Sequence, residues 1–181
     1  LTLFVFFNIV FLLAVLKKDF SLIDIAWGLS FLLIYITALL SFEGSPSLRI
    51  YIVGGLVTIW SLRLSGYIFY RALKKGKEDF RYAAWRKEWG AKANQTAYLR
   101  VYMLQFVLAL VIASPLIFIF TYNSTKEFGT FFDILGICLW GIGFLFEAIG
   151  DFQKNSFKSD PSNKDKFCNI GSNKSKDKLL L

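Results

Sequence analysis

Long apolar runs separated by short polar blocks set the pattern of this chain. A membrane-spanning helix needs about 20 mostly apolar residues. Residues 1–16, 22–41, 50–70, 99–122 and 131–150 meet or approach that length and predict about five transmembrane helices. The joining segments 17–21, 42–49 and 123–130 are short, as expected between antiparallel neighbours. The predicted fold class is therefore all-α, a polytopic transmembrane helical bundle. Residues 1–154 form its membrane domain and 155–181 a polar, disordered tail. The first run could also be the core of a signal peptide. No basic segment precedes it, and Lys17 and Lys18 follow it where a small-residue cleavage site would stand. It is read as a first membrane helix, shortened at its N-terminus in a chain that begins with Leu1.

Charge sharpens the topology. Basic residues crowd the first loop (Lys17, Lys18), the stretch 71–98 and the tail. The second and fourth loops carry only Arg49 and Lys126. The positive-inside rule then places the N-terminus outside and the basic loop 71–98 and the tail in the cytosol. The host is a bacterial inner membrane or the endoplasmic reticulum. The formal charge of +8 reads mainly as this topology signal, and no nucleic-acid partner is expected. The stretch 71–98 also carries Tyr82, Trp85 and Trp89, and is expected to fold as an interfacial helix at headgroup level.

Composition removes several chemistries. Hydrophobic residues make up 55% of the chain and charged residues 19%, and histidine is absent. That excludes histidine-based metal sites and Ser-His-Asp triads. Cys138 lies in an apolar run and Cys168 in the tail, so neither a disulfide nor a zinc site is expected.

Polar residues inside apolar runs are costly, about 2.5–3.5 kcal/mol for a charge at the helix centre, and often mark a site. Asp24, Arg63, Gln105, Glu147 and Asp151 all fall in the cytosolic part of their predicted helices. They suggest a polar cavity open to the cytosol rather than a transport path. Glu147 and Asp151 are one turn apart and share a helix face that continues through Lys154 and Lys158. Arg63 could be their cationic partner, either as a structural ion pair or as part of a ligand site. Trp27, one turn beyond Asp24, is an interfacial anchor or an aromatic wall beside the carboxylate. Gly136, Gly143 and Gly150 recur every seven residues and read as a close-packing seam. Pro115 predicts a kink.

The segments Asp24-Ile25-Ala26-Trp27-Gly28, Trp60-Ser61-Leu62-Arg63-Leu64-Ser65 and Glu78-Asp79-Phe80-Arg81-Tyr82 precede Gln105. Phe146-Glu147-Ala148-Ile149-Gly150-Asp151-Phe152-Gln153 and Phe157-Lys158 follow it. In this order they resemble the domain-of-unknown-function-1295 family, which is related to the C-terminal domain of steroid 5-alpha-reductases. The resemblance covers roughly residues 24–171. It implies about seven membrane helices, NADPH bound from the cytosol, and hydride transfer to a carbon–carbon double bond of a lipid or sterol-like substrate. It also implies that Glu147, Asp151 and Lys158 contact the cofactor. Asp24, Trp27, Arg63 and Gln105 remain candidates for the cavity or substrate site.

The resemblance ends at Phe167-Cys168-Asn169-Ile170-Gly171. The family pattern continues there with an Arg-His-Pro-Asn-Tyr-like motif and two further helices, whereas this chain turns to Ser-Asn-Lys-Ser-Lys. The chain is thus expected to be truncated and catalytically incompetent on its own. Two other readings stay open. One is a membrane methyltransferase like those acting on isoprenylated cysteine, using S-adenosylmethionine. The other is a non-catalytic membrane protein whose polar groups only specify packing.

Overall fold

Lipid offers the backbone no hydrogen-bond partner, so apolar runs crossing it satisfy their own amides as helix. A computed structural model describes residues 1–121 and 128–163 and contains helices but no strand among them. The chain divides into two units, residues 1–128 and 129–181.

The first unit holds α1 (Thr2–Lys17), α2 (Leu22–Leu40), α3 (Leu48–Lys75), α4 (Phe80–Trp89) and α5 (Ala93–Ala97). A π-helical segment, Tyr98–Met103, leads into α6 (Leu104–Ile112), and α7 is Ser114–Thr121. The second unit is built on α8, Phe131–Ser159, followed by a 3-10 turn at Pro161–Asn163. Four helical stretches are long and apolar enough to cross a membrane: Leu22–Leu40, Leu48–Lys75, Phe80–Ile112 and Phe131–Ser159. With the shorter apolar α1 they make the chain a helical membrane protein of the expected class.

Several boundaries differ from those read off hydropathy. α3 continues to Lys75 rather than ending near residue 70. It stops where Gly76 adopts φ 60° and returns its N–H to the Ala72 carbonyl. Hydropathy misses this turn because Arg71, Lys74 and Lys75 end the apolar run, yet Lys and Arg are good helix formers. The loop 71–98 is mostly helical, with Asp79 capping α4 through its bond from the Arg81 N–H. α8 likewise runs to Ser159 rather than Gly150, so residues 155–159 of the expected disordered tail are helix. Residues 164–181, which hold the expected change of pattern after Gly171, lie outside the described residues.

The run 99–122 is not one helix. α6 ends at Ile112 with Ala113 as its C-cap, and Pro115 sits in the first turn of α7. A proline cannot donate to the carbonyl four residues back, here that of Val111. The Ser114 hydroxyl donates to it instead, at 2.7 Å. The expected kink is thus a full interruption, with the orphaned carbonyl satisfied locally.

α2 is the central element of the first unit, packing on α3 above all and also on α1, α6 and α7. Its contact with α3 is made by small residues. Gly28 faces Ser61 and Ser65, and a Cβ there would lie 2.5 Å from Ser65 Oγ. Ser65 Oγ donates across the interface to the Ile25 carbonyl at 2.8 Å. Further along, the Tyr35 ring fills the space where a Cβ of Gly54 would stand. Without a hydrophobic force between helices in lipid, such close approach and interhelical hydrogen bonding supply the association. Two of the sequence motifs, Asp24–Gly28 and Trp60–Ser65, therefore lie face to face at this seam. Within the second unit an added Cβ at Gly136, Gly143 or Gly150 meets nothing within 4 Å. The close small-residue packing within the first unit is that of α2 on α3.

α1 docks on the π segment through aromatic rings. Phe11 lies 5.0 Å from Tyr98 and 5.1 Å from Tyr102 between ring centroids. Tyr98 Oη donates to Asn8 Oδ1 at 3.0 Å. Large apolar side chains such as Phe4, Leu12, Ile59, Leu62 and Val111 remain exposed. A surface of this kind suits lipid as the surrounding solvent.

Candidate functional site at the polar end of the first unit

The α1–α2 loop and the α3–α4 loop meet at one end of the first unit, and a network of charged groups locks them together. Lys18 is held in the left-handed conformation (φ 53°), and the Asp19 N–H reaches back to the Ala14 carbonyl at 2.9 Å. This tight reversal presents the Phe20 N–H, which donates to Glu78 Oε1 at 2.7 Å. Arg86 grips Glu78 with two bonds, from Nε at 3.1 Å and from its terminal nitrogen at 2.8 Å. Its guanidinium also lies 3.7 Å from the centroid of the buried Phe20 ring. Tyr102 Oη closes the arrangement by donating to the Phe20 carbonyl at 3.1 Å.

Asp24 belongs to the neighbouring half of this network. Its Oδ1 accepts from Tyr82 Oη at 2.6 Å and its Oδ2 from Arg81 at 2.9 Å. Arg81 Nε also bonds Asp79 Oδ1 at 3.0 Å, and Lys75 Nζ bonds Asp79 Oδ2 at 2.9 Å. Burial alone would raise the Asp79 carboxyl. The hydrogen bonds from Lys75 and Arg81 outweigh that effect and hold it down to about 2. Each acid at this end is thus matched by fixed donors. Asp24 joins two loops here as a structural ligand of Arg81 and Tyr82.

A cleft opens beside the network. Ser21 and Asp24 form one side, and Arg71, Lys75, Lys77 and Asp79 the other. The space between them is about 300 Å³ counting the open mouth.

The other sequence candidates are placed elsewhere. Trp27 packs edge-on against Phe31 at 5.0 Å and near Trp60 at 6.3 Å. Its buried Nε1 has no hydrogen-bond partner among the described residues, and neither has buried Ser61 Oγ. Arg63 lies on α3 with Nε buried. Because α3 runs on to Lys75, Arg63 sits about 18 Å from its end, deeper than the shorter predicted helix implied. Gln105 is half-buried in the first turn of α6. Trp27, Arg63 and Gln105 do not line the cleft that holds Asp24. Glu147, Asp151 and Lys158 lie in the second unit on α8. The two carboxylates are half-buried and the lysine is exposed. Among the described residues no group of acids and cysteines is arranged to hold a metal ion.

Residue-type reasoning passed over the roles of Glu78, Asp79, Arg81, Tyr82 and Arg86. Their one sequence signal was the Glu78–Tyr82 motif itself. A run of acid, acid, aromatic, base and aromatic immediately after a basic helix end does not reveal that its partners lie near residues 20 and 24.

These features define a class: a helical integral membrane protein whose first unit has one end clamped by partly buried ion pairs. The family described as "Protein of unknown function (DUF1295)" matches residues 10–174, and the chain belongs to it. No curated protein and no solved structure matches the chain.

Proposed function

We propose that the domain this chain carries is that of a membrane-embedded reductase, one that uses NADPH to reduce a carbon–carbon double bond of a lipid or sterol-like substrate, with α8 supplying part of the cofactor site. The supporting observation is the continuity of α8. Because the helix runs unbroken from Phe131 to Ser159, Glu147, Asp151, Lys154 and Lys158 fall on one face. Glu147 and Lys158 are about 16 Å apart along that face. The donor set suits part of a phosphorylated dinucleotide. Half-buried carboxylates accept from ribose hydroxyls or a carboxamide N–H, and the lysines offer charge-assisted bonds to phosphate. When bound, the nicotinamide supplies a hydride. The residues of α8 bind and orient that group, and the apolar helix surface admits a lipid from the bilayer. On this reading the N-terminus faces outside, and the basic loops and the tail face the cytosol, where the cofactor is found. The membrane is a bacterial inner membrane or the endoplasmic reticulum.

Energy transfer from tryptophan to reduced nicotinamide tests the binding step in the detergent-purified chain. Saturable NADPH binding is expected, with weaker binding by Glu147→Gln, Asp151→Asn and Lys158→Gln. Competition by S-adenosylmethionine would favour the methyltransferase reading. No saturable binding of either compound would favour a non-catalytic role and remove the reductase proposal for this chain.

A further inference from the structure

The cleft at the clamped end carries surplus positive charge with an apolar flank beside it. Asp24 and Asp79 on its walls are already bonded to Tyr82, Arg81 and Lys75. The side chains of Arg71 and Lys77 enter no hydrogen bond or ion pair among the described residues. Two cations therefore face the opening without a protein anion to meet them. A free phosphate would be met by charge alone, but this wall continues into hydrocarbon-like surface. Ile68 lines the cleft. Around α3 from it, Phe69 is 51% and Leu73 64% exposed, and Phe80 at the start of α4 is 73% exposed. Trp85 and Trp89 stack at 5.8 Å on α4, the residue types that settle at the headgroup level of a bilayer.

We propose that this cleft binds the phosphate of an anionic phospholipid, held by Arg71 and Lys77, with the acyl chains against Ile68, Phe69 and Leu73. The cleft itself is small and its mouth is open. One phosphate oxygen enters, and the rest of the headgroup stays at the mouth. Basic side chains at a membrane surface contribute roughly 1 kcal/mol each toward anionic lipid, and bidentate Arg–phosphate bonding adds orientation. The inference does not involve Glu147, Asp151 or Lys158 and stands or falls separately from the reductase reading.

Native mass spectrometry of the full chain in detergent, with phosphatidylglycerol or phosphatidylcholine added, tests it. Retention of phosphatidylglycerol over phosphatidylcholine is expected. Arg71→Gln/Lys77→Gln should weaken that retention at least about tenfold. Lys87→Gln/Lys92→Gln, the same change of charge farther along the chain, should leave it intact. Lys77→Gln alone lies in a loop and should show a smaller loss, even if the double variant folds poorly. Equal loss in both double variants would reduce the effect to general charge and overturn the site. Displacement of the lipid by excess inorganic phosphate would overturn the lipid assignment, as would equal retention of the two lipids.

Discussion

Gly54 and Gly55 are adjacent on α3 and face different surroundings, so alanine at each position separates close helix packing from helix propensity. A Cβ at Gly54 would overlap the Tyr35 ring, whereas one at Gly55 meets nothing within 4 Å. Tyr35 is 8% exposed, and its ring lies 5.8 Å from that of Phe120 on α7. It cannot yield without disturbing a second interface. Overpacking a well-filled contact costs about 1–3 kcal/mol, and disturbing an aromatic pair about 0.5–1.5 kcal/mol more. Gly54→Ala should therefore destabilise the chain by about 2–4 kcal/mol. A gain of up to about 1 kcal/mol in helix propensity offsets part of this. Gly55→Ala receives the propensity gain without the clash and should be neutral or slightly stabilising. Thermal unfolding in detergent, followed by tryptophan fluorescence, reads both variants. At roughly 2–4 °C per kcal/mol for a chain of this size, a net loss of about 1–3 kcal/mol after the propensity gain should lower the Gly54→Ala midpoint by about 2–12 °C. Equal midpoints for the two variants would refute the α2–α3 seam as the source of stability.

Three further outcomes follow from the same contacts. Asp24→Ala leaves the buried Tyr82 hydroxyl without its acceptor and should cost about 1–3 kcal/mol; Asp24→Ala/Tyr82→Phe should recover part of that loss in denaturation experiments. Asp79 has its folded pKa depressed below 3.8, to about 2, so its stabilising contribution is present above about pH 4. That contribution is lost as pH falls through about 2, and Asp79→Asn should flatten the acid limb of a stability–pH curve over that window. Ser114→Ala removes the hydroxyl donor to the Val111 carbonyl beside Pro115 and leaves it only the backbone N–H at the α6 C-cap, and should lower stability by about 0.5–1 kcal/mol, while Ser114→Thr should retain most of it; equal midpoints for the two variants would contradict the repair described at the break.

The helices were legible because hydropathy is local: each apolar run reports its own preference for lipid whatever lies opposite. A kink at Pro115 was legible for the same reason, since proline acts on its own turn, but the full break between α6 and α7 was not. Helix ends were less so. Arg71 to Lys75 look like loop by polarity, yet they propagate α3 until Gly76 allows the left-handed stop.

Partners across the fold could not be read in this way. Phe20 with Glu78 and Asp24 with Arg81 are separated by 58 and 57 residues, and no spacing rule joins them. Tertiary structure gave close contact to Gly28 and Gly54 within the first unit, because a glycine matters for packing where another helix is opposite it, and no spacing rule names that helix.

By itself, the sequence determined that this chain is a helical membrane protein, with Glu147, Asp151 and Lys158 at one-face spacing. Those properties depend on neighbouring residues and on the solvent. Only tertiary structure decided that Asp24 serves a clamp, and that Arg71 and Lys77 are left facing a cleft. Whether a charge is satisfied depends on which groups folding brings within about 3 Å of it.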